Sequence, residues 1–530
     1  MKRKMIRIYN TITKTKEEFK PVVSGKVGIY LCGPTVYKAS HIGHMVGPVI
    51  FDTIKRYLQY SGYVVRFIIN ITDVDDKLIA ESKLRQLPMG VVAEEMTVDY
   101  MNNLAAMGVK DSVDAFPRAT EHIGNIIKFT QDLIDKGFAY SSEGDVYFDV
   151  NKYAEYGKLS HRSVEQTSGG GGEMAERKKS PLDFALWKSA KPDEPFWESP
   201  WGKGRPGWHI ECSVMSCELL GETFDIHGGG LDLVFPHHEN EIAQSESRHG
   251  KPMCNYWMHN GLMQESGETG KVGGRKTHAA EEGNIISQEA GKISKSKGAG
   301  AFRDMLKQFT PETIRFFLLS THYRRPIDFS FERIEEVGKG LETFYRLAKR
   351  IEKITNQNFY KLETPLNRND GEKLLQDFKT NAQTLSQSQF YNAISDYRTK
   401  FLESMDDDFN TGGAIGILFE LLRELNRFID DSHLEVAFDA GLSSILTYGA
   451  IVLRELGVTL GLFIIQPKDN IAITESNKLV AKLINLLIEL RNAARKNKDF
   501  ATADKIRAGL NELNIQLEDR TGTTEWNIGK

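Results

Sequence analysis

Four cysteines in 530 residues, a net charge of only −4 and no apolar run long enough to span a bilayer exclude several classes at once. Cys32, Cys212, Cys217 and Cys254 stand in a large chain without a secretory signal, so a disulfide framework is a poor reading. Buried thiols or metal ligands are what remain. The basic start, Met-Lys-Arg-Lys-Met-Ile-Arg-Ile-Tyr-Asn10, is followed by no long apolar stretch, so the expected location is cytoplasmic, with no membrane contact. The small negative charge argues against a globally basic nucleic-acid binder and leaves room for local basic patches.

What the chain does have is ordinary enzyme composition, 40% hydrophobic and 26% charged, over a length that suggests about three domains. Its first part alternates strand-like segments (27–31, 64–71, 224–226, 255–259) with helical spacing, which predicts a parallel sheet covered by helices. Sites in such sheets lie at the carboxyl ends of strands. Cys32, the run Thr72-Asp-Val-Asp-Asp76 and the run His227-Gly-Gly-Gly230 each follow a predicted strand. After about Thr310 the pattern turns all-helical, starting with a cap, proline and acid at Thr310-Pro-Glu312. Amphipathic runs follow near 332–353, 372–385, 412–429, 442–456 and 478–496. The last carries Leu479, Leu483, Leu486, Leu487 and Leu490 on one face, read as core packing. Segments 166–179 and 262–291, rich in glycine and charge, read as loops.

Two runs carry chemistry. In Tyr30-Leu-Cys-Gly-Pro-Thr-Val-Tyr-Lys-Ala-Ser-His41-Ile42-Gly43-His44 a strand turns through Gly33 and Pro34 and reaches two histidines where helical spacing begins. Such a junction aims backbone N–H groups and a helix dipole at phosphate. Lys292-Ile-Ser-Lys-Ser296 places two lysines and two serines on a short segment flanked by glycine. Together they are similar to the HIGH and KMSKS signatures of class I aminoacyl-tRNA synthetases. Taken alone, His-Ile-Gly-His could equally be a surface helix start.

In Phe235-Pro-His-His-Glu-Asn-Glu241 a helix opened by Pro236 would turn His237 and Glu241, four residues apart, the same way. With Cys32 and Cys212 they would offer two sulfurs, a nitrogen and an oxygen, a set suited to zinc. A capping or surface role for His237 is the alternative.

Longer blocks extend the resemblance: Asn70-Ile-Thr-Asp-Val-Asp-Asp-Lys77, Gly204-Arg-Pro-Gly-Trp-His-Ile-Glu-Cys212, Asp225-Ile-His-Gly-Gly-Gly-Leu-Asp-Leu233, Met405-Asp-Asp-Asp-Phe-Asn-Thr411 and Leu517-Glu-Asp-Arg-Thr-Gly-Thr-Thr-Glu-Trp526. From residue 6 to 526 the chain resembles the cysteinyl-tRNA synthetases. The resemblance implies an α/β fold: a Rossmann-like parallel-sheet catalytic domain (1–309) with a connective insertion (about 110–205) and a signature-loop region (262–309). A helical bundle (310–466) and a small C-terminal anticodon-binding domain (467–530) would follow. It implies one zinc on Cys32, Cys212, His237 and Glu241, and an amino-acid pocket of Cys32, Gly33, Thr72, Trp208 and Asp232. Trp208 would cover the amino acid; an ordinary buried tryptophan is the alternative. Asp232 would contact the amino acid or ribose, or else cap a helix.

The implied reaction joins L-cysteine to ATP, with magnesium, and then to the terminal adenosine of tRNA(Cys). His41, Gly43, His44, Gly229, Gly230 and Lys295 would hold ATP, with His41, His44, Lys292 and Lys295 catalytic. Ile293 replaces the usual methionine of the signature, a volume-conserving change. Segment 262–291 is longer than the short hairpin typical of bacterial relatives. Arg491, Arg495, Lys496 and Lys498 form a basic cluster that could be a solvated helix end. Arg495, Asp504, Asp519 and Trp526 are the candidates for anticodon contact, being residue types suited to stacking and base-edge bonding. The enzyme is expected to act as a monomer. A ligase joining cysteine to an amino-sugar inositol in mycothiol synthesis shares such an active site but lacks the C-terminal end. A non-catalytic tRNA-binding paralogue would have lost His41, His44 or a signature lysine, and none is missing.

Overall fold

The computed structural model describes residues 5–162, 175–265, 300–467, 475–520 and 523–528. They form two units, Met1–Phe428 with Gly441–Ile464, and Ile429–Ala440 with Ile465–Lys530. The first opens with an antiparallel ribbon, β1 (Arg7–Asn10) and β2 (Thr15–Glu18). Strand β3 (Lys26–Leu31) leads into α1 (Gly43–Tyr60), which crosses back to β4 (Val64–Ile69). Val46, Val49, Ile50, Ile54, Tyr57 and Leu58 recur at helical spacing along α1 and are all buried, which fixes its face against the sheet. Helices α2 (Asp76–Arg85), α3 (Met89–Ala106) and α4 (Ile123–Asp135) follow.

Next comes an antiparallel sheet of β5 (Ala139–Ser142), β6 (Asp145–Phe148), β7 (Phe184–Ser189) and β8 (Gly204–Pro206), packed with α4 around Phe129, Phe148, Leu186 and Trp187. The described part of the 166–179 stretch is a short 3₁₀ turn, Ala175–Arg177, with exposed Glu176 and Lys179, tied down where Arg177 donates to the buried Asp145 at 3.0 Å. The chain then returns through α5 (Trp208–Leu220) to β9 (Phe224–Gly230), and through α6 (Glu239–His249) to β10 (Cys254–Asn260).

The central sheet runs β10-β9-β3-β4 with every neighbour parallel. The connection from β3 runs one way to β4 and that from β9 runs the other way to β10, so the switch point where ligands bind in such sheets falls between β3 and β9. Here the strand ending at 226 in the sequence reading is longer. Gly228, Gly229 and Gly230 pair with Met258, His259 and Asn260 inside β9. A Cβ at Gly228 would come within 2.2 Å of the Phe51 ring, so glycine here lets α1 lie on the sheet.

Beyond residue 300 the first unit is helical with one exception. A short α7 (Phe302–Met305) precedes α8 (Pro311–Leu319), whose cap is as expected: the Thr310 hydroxyl accepts from Thr313 N at 3.1 Å. The exception is β12 (Ile327–Phe329), paired in parallel with β11 (Met263–Glu265), so this region is not all-helical. The bundle consists of α9 (Phe331–Thr355), α10 (Arg368–Asn381), α11 (Leu385–Asp406), α12 (Thr411–Asp431) and α13 (Ala440–Thr459). The run expected at 372–385 is divided, because Thr384 caps a new helix with Gln387 in a reciprocal capping box. Contrary to the sequence reading, α13 is long and apolar enough to cross a membrane by composition. It is a core helix here, with 56% of its apolar window buried and Glu455 bound to Arg398 at 3.0 Å.

The second unit is a helix pair, α14 (Glu475–Lys496) and α15 (Phe500–Glu512), with an antiparallel hairpin of β13 (Ile515–Arg520) and β14 (Thr523–Ile528). Two expectations fail here. The end of the chain is a β hairpin rather than helix, with Ile515 and Leu517 alternating into the core. The leucine face of α14 is also not core: Leu483, Leu486, Leu487 and Leu490 are 37–52% exposed, while Ile484 and Ile488 face inward. The hairpin and α15 cover only the isoleucine side.

Candidate active site and metal centre

At the carboxyl end of β3, Cys32 N donates to Gly228 O at 3.1 Å, which seats its side chain at the switch point. Its sulfur lies 3.7 Å from Cys212 Sγ on α5, 3.6 Å from His237 Nε2 and 3.6 Å from Glu241 Oε1. His237 Nε2 and Glu241 Oε1 are 3.0 Å apart. Cys32, Cys212, His237 and Glu241 therefore converge, as do the overlapping four Cys32, His227, His238 and Glu241. Phe235 is extended (φ −140°, ψ 132°), and from Pro236 the chain turns through His237 and His238 into α6, so Pro236 stands in the first turn of this helix as expected. His237 and Glu241 meet, because the turn carries the four-residue spacing into α6.

The surrounding shell is aromatic and imidazole-rich. His237 shares a hydrogen bond through Nδ1 with His209 Nδ1 at 2.8 Å, and Glu241 accepts through Oε2 from His227 Nε2 at 2.8 Å. His238 bridges Cys32 Sγ at 3.3 Å and His259 Nε2 at 2.8 Å, and His259 Nδ1 meets the Thr11 hydroxyl at 2.8 Å. Outer partners of this kind fix tautomer and ring orientation. Of these histidines the sequence reading singled out only His237. The signal for His209, His227 and His238 was their place in the quoted blocks, while His259 only ended the predicted strand 255–259.

The electrostatics are those of a buried, coupled group. Burial pushes the Cys32 thiol well above its ordinary value, with Cys212 adding to the effect. The Cys212 thiol is drawn down to about 6, chiefly by the hydrogen bond with Cys32. Burial lowers His237, but Glu241 and Cys212 together outweigh it and raise the imidazole to about 10. Burial works against Glu241 as a carboxylate, yet His227 and His237 hold it well below the ordinary range. One thiol and one carboxylate are thus disposed to ionise inside the fold, which suits cation binding.

Around this cluster, Thr72 is buried and donates from its hydroxyl to Glu211 Oε2 at 3.1 Å. Glu211 Oε1 is buried with no hydrogen-bond partner, and burial raises this carboxyl well above its usual range. Sequence reasoning missed Glu211 as a polar group beside the thiols. Gly33 N donates to Asn70 Oδ1 at 2.8 Å, and a Cβ at Gly33 would sit 1.7 Å from Asn70 O, so only glycine fits. Trp208 is no ordinary buried tryptophan. It is 38% exposed and stacks on the His237 ring at 4.3 Å. Asp232 is exposed in a single 3₁₀ turn after β9 and is not its cap, a position held by Gly230.

The two histidines of the first signature flank the start of α1. His41 N donates to His44 Nδ1 at 3.1 Å, Gly43 N donates to His41 Nδ1 at 3.1 Å, and the rings lie 4.0 Å apart. Ser40 ties this loop to its surroundings, accepting from Phe302 N at 2.8 Å and donating through its own N to Asp99 at 2.9 Å. Gly229 and Gly230 end β9 at the same edge of the sheet. Lys292 and Lys295 lie outside the described residues.

In the second unit, Asp519 accepts from Arg491 at 2.7 and 2.6 Å, from Arg495 at 3.1 Å and from the Thr524 hydroxyl at 2.9 Å. Trp526 Nε1 donates to Asn485 at 3.0 Å, and its ring packs on the Ile484–Leu517 core. Asp519 and Trp526 thus have internal partners, as does the exposed Arg495 through Asp519, while Asp504 is exposed. The Arg491 hydrogen bonds hold the Asp519 carboxyl well below its ordinary value despite partial burial. Their stabilisation is full above about pH 4 and falls away as the pH drops towards the folded value. Arg491→Ala should destabilise this unit by about 1.5–3 kcal/mol near neutral pH, with the difference from the parent shrinking in acid. Thermal unfolding followed from pH 7 to pH 3 checks both.

The parallel sheet, its switch-point cluster and the histidine-bearing helix start define a class I tRNA synthetase. The sequence model described as "tRNA synthetases class I (C) catalytic domain" matches residues 18–271 and 280–339, and that of the DALR domain matches residues 400–464. A cysteine–tRNA ligase of Thermodesulfovibrio yellowstonii is 44% identical over 99% of both chains. Another, from Geobacter metallireducens, is 42% identical over 99% of both. The chain belongs to the cysteine–tRNA ligase family. A methionyl-tRNA synthetase of Mycobacterium tuberculosis, solved with methionyl-adenylate, shares the fold with a TM-score of 0.58 at 12% identity. The match covers 83% of this chain and 91% of that one.

Proposed function

We propose that the protein activates L-cysteine with ATP, forming cysteinyl-adenylate and pyrophosphate, and then transfers cysteine to the 3′-terminal adenosine of tRNA(Cys). The observation that carries this reading is the meeting of two thiols, an imidazole and a carboxylate at the switch point of the sheet, in a chain of this family. The amino-sugar ligase reading is not favoured, because the full-length relatives are tRNA ligases.

Cys32, Cys212, His237 and Glu241 would hold zinc. Ligands about 2.0–2.3 Å from a tetrahedral centre stand roughly 3.3–3.8 Å apart, and the separations here, 3.0–3.7 Å, support the fit. The alternative four has a single sulfur, and its His227 is engaged with the outer oxygen of Glu241. A zinc ion here would supply a soft Lewis acid that prefers a thiolate to a neutral hydroxyl. That preference matters because shape alone separates near-isosteres such as cysteine and serine by only about 1–3 kcal/mol. Trp208 would cover the amino acid, with Gly33, Thr72 and Asp232 beside it.

The cysteine carboxylate attacks the α-phosphorus directly, so no protein nucleophile is needed. The protein's part is positioning and charge stabilisation. His41 and His44 would donate to the phosphates at the start of α1, where the helix dipole favours anions. Gly43, Gly229 and Gly230 would leave room for the nucleotide, and Lys292 and Lys295 would neutralise charge as it develops. Magnesium would accompany ATP. Residues 1–309 would form the catalytic domain, 310–466 a tRNA-binding bundle and 467–530 the anticodon-binding domain, in a cytoplasmic monomer. The outward-facing Arg495 and Asp504 are better placed to meet RNA than Asp519 and Trp526.

The test has two arms. Purified protein should catalyse ATP–pyrophosphate exchange with cysteine and not with serine; exchange without that discrimination would overturn the reading. Protein truncated after Gln466 should keep exchange but lose most cysteinylation of tRNA, with a shallower salt dependence of tRNA affinity. Full charging by a folded truncation would remove the anticodon role from the C-terminal end.

A further inference from the structure

The three consecutive aspartates of Met405-Asp-Asp-Asp-Phe-Asn-Thr411 have no part in the chemistry above, yet each is committed to a different element. Asp406 ends α11, and Asp407 and Asp408 enter the turn that leads to α12. Asp406 accepts from the Tyr57 hydroxyl on α1 at 2.8 Å and from Arg368 Nη1 at 3.0 Å. Asp407 pairs with Lys16 on β2 at 2.8 Å. Asp408 is fully buried. Its Oδ1 accepts from Tyr9 N on β1 and from the Tyr323 hydroxyl, both at 2.8 Å, and its Oδ2 accepts from Arg324 Nε at 2.7 Å. Its own N–H donates to Arg7 O at 2.9 Å.

The backbone of the turn is costly. Asp408 (φ 65°) and Phe409 (φ 49°) are successive non-glycine residues in the left-handed region. Such a conformation persists where surrounding contacts over-determine it, and it clusters where geometry matters to function.

The partners of the turn lead to the active edge of the sheet. Tyr323 O accepts from Gly261 N at 2.8 Å just beyond β10, and Leu262 O accepts from Ile327 N at 3.0 Å, so β11 and β12 are tied to the residues bound by Asp408. Tyr9 stands two residues before Thr11, which meets His259 of the imidazole shell. Tyr57 lies on the helix that His41 and His44 begin.

We propose that the Asp406–Asp408 turn is a positioning element for the reaction. From the helical bundle it fixes α1, β1 and β12 against one another, and so sets the geometry at the carboxyl edge of the central sheet. The buried Asp408 carboxylate is met by donors from β1 and from the chain ahead of β12. Loosening it lets those elements drift, and a displacement of about 1 Å can cost on the order of 10²-fold in rate. The inference rests on the synthetase reading of the site.

Asp408→Asn keeps the shape and removes the charge; Tyr323→Phe removes one hydroxyl and leaves the carboxylate. In the full chain, cysteine-dependent ATP–pyrophosphate exchange is measured per active site, counted by adenylate burst, beside bound zinc and the thermal midpoint. The kcat should fall by about 10–100-fold for Asp408→Asn and by about 3–10-fold for Tyr323→Phe. The KM for cysteine should stay within about twofold and zinc should be retained, because the thiol cluster is not what moves. A lower thermal midpoint with unchanged kcat would make the turn merely structural and overturn the proposal. So would a loss carried wholly by the KM for cysteine. If Asp408→Asn does not fold, Tyr323→Phe decides by the same criterion. Absence of exchange in the parent protein would instead overturn the synthetase reading, a result separable from any effect of the variants.

Discussion

Cys212→Ser protein should be purified without zinc, and its kcat/KM for cysteine in pyrophosphate exchange should fall by more than about 10²-fold. Residues that merely support a metal ligand cost about 10–100-fold when removed, so a ligand should cost more. The loss should fall on the KM for cysteine and leave the KM for ATP nearly unchanged, because the histidines that would meet ATP sit on a different element, the start of α1. Serine is nearly the same size as cysteine, so packing around residue 212 is preserved and the effect reports the sulfur. Cys32 and Cys212 are 3.7 Å apart, and the Cys212 thiol is already drawn down to about 6, so it is the sulfur readiest to ionise near neutral pH. Full metal occupancy in this variant, by elemental analysis, would remove Cys212 from the ligand set. The other cluster of Cys32, His227, His238 and Glu241 would then take its place.

Lys295→Ala should lower kcat for cysteine activation by roughly 10²–10³, the usual consequence of deleting one donor that acts on charge developing in a transition state. Cysteine affinity should barely change, because the residues that would select the thiol lie just after β3, on α5, and on α6 and the turn before it, rather than on the signature segment. The two substitutions thus separate the site's tasks, one moving KM for the amino acid and the other moving kcat. Single-turnover formation of adenylate is the measurement. An unchanged rate would take the second signature out of the mechanism.

Much of the site was legible because its chemistry depends on residue type. Two thiols, an imidazole and a carboxylate are rare enough in a chain with four cysteines and thirteen histidines to be noticed one by one. The strands were legible for the same reason: buried parallel strands are apolar runs, and the marked residues Cys32 and Thr72 fall just after two of them. The imidazole shell was not legible. His209, His227, His238 and His259 come from three different elements and the segment before α6, and nothing local ties a histidine on β10 to a threonine after β1. Nor did the leucines of α14 reveal their exposure. Helical spacing marks a face as apolar without saying which face a small hairpin will cover.

The sequence by itself determined the reactive groups, the parallel sheet and the family, because these rest on side-chain chemistry and local periodicity. Tertiary structure alone decided which histidines orient the cluster, which C-terminal side chains are already engaged by Arg491 and Asn485, and what the three aspartates after Met405 hold. Each of these is a contact between residues far apart in the chain. Such contacts are set by how whole elements pack, and no pattern of neighbouring residues records them.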